Sequence, residues 1–143
     1  MPDTPLVGAR ILLVEDAAVL RNLIAQNLLA RSHDVHYAED ASTALAQLRT
    51  RTFDLVILDI NLPDQTGWEV LRAAQREGTL KPQSIDDEHC VLPVVILSAV
   101  RVSQHRLAEF RPLAYLPKPF PLEALLRLAA EAALRREDNK YVV

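Results

Sequence analysis

The sequence predicts an α/β fold in three layers, a doubly wound parallel sheet of five strands with helices on both faces. Two observations carry that expectation. Short aliphatic runs, such as Leu55-Val56-Ile57-Leu58 and Val94-Val95-Ile96-Leu97, are rich in Val and Ile and free of polar breaks, as strands covered on both faces are. Between them, apolar residues recur at helical spacing, so strand and helix alternate along the chain.

The elements follow in order. Arg10-Ile11-Leu12-Leu13-Val14 is the first strand, with Glu15-Asp16 directly behind it. Leu20, Leu23, Ile24, Asn27 and Leu28 then mark the inward side of an amphipathic helix over Ala17 to Ala30, by the 3.6-residue period. Val35 to Ala38 is a short strand. Asp40 suits the cap of a second helix with Ala41, Ala44, Leu45 and Leu48 inward, since a side-chain oxygen there accepts from a free backbone N–H. The central strand runs from Phe53 to Asp59, and a turn with Pro63 and Asp64 leads to a helix over Thr66 to Glu77, packed through Val70, Leu71 and Ala74. Residues 78–92 break the rhythm. The fourth strand ends at Ser98, a fourth helix spans Val102 to Phe110, and Pro112 stops it. Leu113 to Leu116 is the fifth strand, followed by Pro117-Lys118-Pro119-Phe120. Pro121 opens a last helix packed through Leu122, Leu125, Leu126 and Ala129.

Bulk properties set limits on function. A chain of 143 residues suits one domain with a real core; residues 9–136 are assigned to it, with tails at 1–8 and 137–143. A net charge of −3 gives no electrostatic reason to expect direct binding of nucleic acid. A single cysteine, Cys90, cannot pair within the chain, and neither a signal peptide nor a bilayer-length apolar run is present, so a cytoplasmic location off the membrane is expected.

Right-handed crossovers favour the flavodoxin-like strand order 2-1-3-4-5, in which ligands bind outside the carboxyl ends of the strands at the switch point. Glu15-Asp16, Asp59, Ser98 and Lys118 all leave strands at that edge. Asp59 taken alone is either a cap for the next helix or a chemical group; Asp16 and Lys118 beside it favour the second. Ser98 taken alone is an ordinary strand-end serine, and Tyr115 an ordinary core aromatic. Carboxylates brought together repel unless cations compensate. Lys118 is one available cation, and Mg²⁺, which suits an oxygen-rich site with few protein ligands, is another. An aspartate held beside such cations can attack phosphorus.

These residues carry a resemblance. Leu-Val-Glu15-Asp16, Asp59-Ile-Asn61-Leu-Pro63 with Gly67, Leu-Ser98-Ala99 and Tyr115-Leu-Pro-Lys118-Pro119-Phe120 resemble, in order and spacing, the receiver domain of two-component response regulators over about residues 9 to 136. The resemblance implies that Asp59 accepts phosphate from a phosphohistidine of a sensor histidine kinase or a histidine phosphotransfer protein. It implies Mg²⁺ bound by Asp16, Asp59 and the backbone carbonyl of Asn61, with Glu15 acting through a water. Lys118 would pair with Asp59, Ser98 would move towards the phosphoryl group, and Tyr115 would swing inward. The signal would pass to a downstream protein, or to a second copy, through the fourth helix, fifth strand and fifth helix. A stand-alone, chemotaxis-regulator-like signalling protein rather than an enzyme is expected; Met1 and the polar ending fit an entire protein. The alternatives are a phosphate-independent receiver used for binding or dimerisation, and a receiver from a larger regulator or hybrid kinase.

Three departures stand out: Glu15 where aspartate is common in the family, the unusual approach Arg111-Pro112-Leu113-Ala114, and the 15-residue connection 78–92, where about 2 to 6 residues is usual. That connection is expected to be a solvated acidic loop at the amino edge of the sheet, with a private contact surface as the sharper reading. Trp68 is expected beside the site. His89-Cys90 is a weak metal motif, and the other histidines, His33, His36 and His105, lack ligand spacing.

Overall fold

A computed structural model describes the backbone of residues 8–80 and 92–141, with side chains to residue 136. The strands are β1 (Arg10–Val14), β2 (Asp34–Ala38), β3 (Leu55–Asp59), β4 (Val94–Ser98) and β5 (Ala114–Pro117), and the helices α1 (Ala18–Ala30), α2 (Ala41–Thr50), α3 (Gly67–Glu77), α4 (Gln104–Phe110) and α5 (Leu122–Tyr141). All strand pairs are parallel, in the order β2-β1-β3-β4-β5. The expected fold class and order are therefore found. The boundary drawn at 137 falls inside α5.

The two-residue period of a strand sends alternate side chains to opposite faces, and two cores result. Leu12, Val14, Val56, Leu58 and Ile96 pack against α2 and α3, while Ile11, Leu13, Ile57, Val95 and Leu97 pack against α1 and α5. Every residue of β3 and β4 is buried. That explains their unbroken aliphatic runs: each face of the sheet is covered by helices, so neither face tolerates a polar alternation.

Local chemistry sets the helix starts. Asp40 caps α2 as expected, accepting from Thr43 N–H at 2.8 Å, and α2 turns inward the four residues assigned to it. The cap of α3 is Thr66, whose hydroxyl accepts from Glu69 N–H at 3.3 Å, so Asp59 is not that helix's cap. The inward stripe of α1 differs from expectation. Arg21, Ile24 and Leu28 are buried, whereas Leu23 is about half exposed. The fourth helix begins two residues later than expected, at Gln104, where Ser103 caps it by accepting from Arg106 N–H at 3.2 Å.

Gly78 closes α3 in the left-handed conformation at φ 75°, and Leu92 N–H donates to Leu80 O at 2.8 Å. The ends of the long connection thus meet at the amino edge of the sheet. Residues 81–91, and with them the loop surface and His89-Cys90, lie outside the described residues.

Candidate functional site

The parallel register brings the polar strand ends together. Val14 is paired with Leu58, so Glu15 follows β1 beside Asp59 at the end of β3; Asp59 is paired with Leu97, and Ser98 with Pro117. Lys118 N–H donates to Ser98 O at 2.8 Å, continuing that register one step past β5. Five positions from four strands thus converge without any long-range loop having to be placed.

Lys118 holds the centre. Its ammonium donates to Glu15 Oε1 at 2.6 Å and to Asp59 Oδ2 at 3.1 Å. Glu15 is fully buried, Asp59 nearly so, and Asp16 is exposed. Oxygen atoms of Glu15, Asp16 and Asp59 lie within 4.8 Å of one another. Burial pushes the Glu15 carboxyl up to about 7; its hydrogen-bonded neighbour Asp59 adds to the rise and Lys118 opposes it. Burial alone would lower the Lys118 ammonium, but the hydrogen bonds to Glu15 and Asp59 outweigh it and hold it above the ordinary lysine value. One lysine is shared between two buried carboxylates, and a further cation is favoured there.

The donor set fits Mg²⁺. All three side chains offer hard oxygen atoms, the preference of that ion. Glu15 Oε2 is also buried with no hydrogen-bond partner among the described residues, a costly state that a cation or its water relieves. Glu15, expected to act through a water, sits deeper than Asp16 and makes a shorter contact to Lys118 than Asp59 does. Asn61 follows Asp59 closely, its N–H donating to Asp59 Oδ1 at 3.1 Å.

Ser98 and Tyr115 meet at one atom. The Ser98 hydroxyl donates to Val100 O at 2.7 Å and accepts from Val100 N–H at 3.0 Å, and the half-buried Tyr115 hydroxyl donates to the same carbonyl at 3.3 Å. Ser98 is turned into its own loop and not towards Asp59. Trp68 stands at the start of α3, directly after Gly67, whose backbone lies against the Asp59 carbonyl; it is buried and stacked on Phe110 of α4 with ring centroids 5.4 Å apart.

Arg21 escaped the sequence reading. It lies on the inward stripe of α1 and donates to the carbonyls of Glu15 and Asp16 at 3.0 and 3.4 Å. The available signal was its place three residues before Ile24 and seven before Leu28.

Residues 11–130 match the family model described as the response regulator receiver domain. Among curated relatives, the response regulator protein FleR of Pseudomonas aeruginosa is 34% identical over 90% of this chain and 25% of its own length. The probable transcriptional regulatory protein SilR of Salmonella typhimurium is 32% identical over 93% of this chain and 54% of its own. The chain spans about half or less of the length of these relatives. Among solved structures, the chemotaxis response regulator CheY4 of Vibrio cholerae superposes with a TM-score of 0.74 at 25% identity, covering 88% of this chain and 99% of that one. No helix among the described residues is long and apolar enough to cross a membrane.

Proposed function

Since the chain belongs to the response regulator receiver family of two-component signalling, we propose that it is a phosphorylation switch in which Asp59 accepts a phosphoryl group from a phosphohistidine. The observation that carries this reading is the Lys118 ammonium bridging Glu15 and Asp59, at 2.6 and 3.1 Å, within the three-carboxylate cluster. A carboxylate oxygen of Asp59 forms the new P–O bond as the donor's P–N bond breaks, and the electron pair of that bond returns to the imidazole nitrogen. Lys118 supplies a fixed positive charge to the transferred oxygens, and stabilisation of that kind costs no reorganisation at the moment of reaction. Asp16, Asp59 and the Asn61 backbone would hold Mg²⁺, with buried Glu15 supporting it, and the ion would offset the charge of carboxylates and phosphoryl oxygens alike.

Transmission runs through the Val100 carbonyl. A phosphoryl group on Asp59 offers the Ser98 hydroxyl a stronger, charged acceptor. Ser98 then releases Val100 O, and Tyr115, bonded to the same carbonyl, is released with its loop. A local charge change thereby biases a two-state element. The donor is a sensor histidine kinase or a histidine phosphotransfer protein, and the α4–β5–α5 face passes the signal to a protein target or to a second copy.

The test is incubation with MgCl₂ and a small phosphodonor, read by intact mass. Addition of one phosphoryl group to the wild type and none to Asp59→Asn is expected. Unmodified wild type would favour the phosphate-independent module, and uptake by Asp59→Asn would place the acceptor elsewhere.

A further inference from the structure

Arg21 is 7% exposed, and burying a guanidinium costs several kcal/mol unless its donors are well used. The two terminal nitrogens are so used, while Nε is buried with no hydrogen-bond partner among the described residues. One terminal nitrogen takes the carbonyl oxygens of Glu15 and Asp16 at 3.0 and 3.4 Å. The other lies 3.3 Å from Glu39 Oε1, and the guanidinium carbon is 5.3 Å from the Tyr37 ring centroid.

Successive carbonyls of an extended strand point to opposite sides. Two of them reaching a single nitrogen means that the chain bends sharply as it leaves β1. That bend turns the exposed Asp16 back within 4.8 Å of the carboxylates of Glu15 and Asp59. The cationic head contacts backbone oxygens and Glu39, so its charge is spent behind the acidic loop and not on the carboxylates. The planar fork suits this task as a lysine does not.

The post on which Arg21 pulls also holds the loop after β3. Asp64 accepts from Ala41 N–H at 2.8 Å and from Ser42 N–H at 3.0 Å. Glu39 to Ser42, where β2 passes into α2, therefore anchors the loops bearing Asp16 and Asn61 alike.

We propose that Arg21 is a positioning residue for the divalent-cation site, fixing the bend that presents Glu15 and Asp16 by tying their carbonyls to the β2–α2 junction. The proposal rests on the phosphorylation reading of this site. Partners that orient metal ligands typically contribute about 10- to 100-fold to metal affinity. Arg21→Met fills the same buried volume without donors, and Arg21→Lys restores the charge but not the fork.

The experiment is a calorimetric titration of each full-length variant with MgCl₂, alongside thermal melts and phosphate uptake measured across Mg²⁺ concentrations. Arg21→Met is expected to raise the Mg²⁺ dissociation constant about tenfold, while phosphate uptake at saturating Mg²⁺ reaches the wild-type level. Arg21→Lys should recover part of the affinity. An Arg21→Met protein that melts earlier yet binds Mg²⁺ within about twofold of wild type would overturn the proposal, because a purely structural arginine behaves that way. Should Arg21→Met fail to fold, Glu39→Ala decides: it frees one anchor from an exposed position and is expected to weaken Mg²⁺ two- to threefold, and unchanged affinity would overturn the proposal. Wild type that neither binds Mg²⁺ nor accepts phosphate would overturn the reading of the site itself, and the proposal with it.

Discussion

A Cβ added to Gly67 would stand 2.7 Å from the carbonyl oxygen of Asp59 and 3.0 Å from the Cα of Ile60. Both atoms belong to backbone, which cannot rotate aside as a side chain can. Gly67→Ala therefore moves the acceptor segment itself, at about 1–3 kcal/mol, the usual cost of overpacking. Gly78 is the natural control. Its φ of 75° disfavours any side chain, yet nothing lies within 4 Å of the added atom; Gly78→Ala should cost roughly 1 kcal/mol and leave phosphate uptake alone. Urea melts paired with uptake rates check both, and equal uptake by the two variants would refute the link from Gly67 to Asp59. His33 gives a pH dependence. Its Nδ1 accepts from Ala9 N–H at 3.0 Å, so that nitrogen carries no proton in the fold. Burial, aided by the charge of Arg31, lowers its pKa from the ordinary 6.5. The unfolded chain thus takes up a proton more readily than the folded one, and stability rises with pH wherever it does. This contribution is full above about pH 6.5 and is lost as pH falls through the lowered value. Melts of His33→Gln between pH 5 and 7 should show a shallower slope than wild type.

At the scale of an element, α4 is the exception. It has seven residues and none is buried, and a helix that short has little stability of its own. Side chains of α3 hold it: Trp68 stacks on Phe110, Arg72 pairs with Glu109 at 2.7 Å, and the Arg106 guanidinium lies 5.8 Å from the Trp68 ring centroid. The helix ends at Arg111 with φ 46°, a conformation that costs a non-glycine residue about 1 kcal/mol. Arg111→Gly should stabilise the protein by at most roughly 0.5 kcal/mol in urea melts, after allowing for glycine's greater freedom when unfolded; a loss would mean that the Arg111 side chain itself holds the turn. This helix also shows where sequence ran out. The aliphatic runs of β3 and β4 and the polar residue behind each strand were readable because a strand buried on both faces allows little else. Register then carried Glu15, Asp59, Ser98 and Lys118 to one edge. The stacking of Trp68 on Phe110 was not readable, because the two lie 42 residues apart, across two loops, and no periodicity encodes that contact. In α1 a charged residue took an inward place that an apolar pattern assigns to leucine, since the guanidinium found backbone carbonyls there.

Across the whole molecule, burial is uneven in a way that bears on signalling. β3 and β4 are buried throughout and β1 nearly so, while β5 has no fully buried residue. Segments with few buried apolar contacts open at low free-energy cost. The α4–β5 side should therefore exchange amide hydrogens fastest within the region from 94 to 117, and β3 slowest of all. The opposite edge strand, β2, is also partly exposed, so exposure alone would make both edges respond to phosphate. The Val100 carbonyl breaks that symmetry: it bonds Ser98 and Tyr115 on the β4–β5 side, whereas the β2 side is pinned by Arg21 and Asp64. Hydrogen exchange by mass spectrometry, with and without phosphodonor and MgCl₂, should show changed protection over residues 99–117 and little change over 34–38. Equal changes at both edges would mean that phosphate tightens the sheet as a unit, and that the two hydroxyls sharing one carbonyl do not direct the signal.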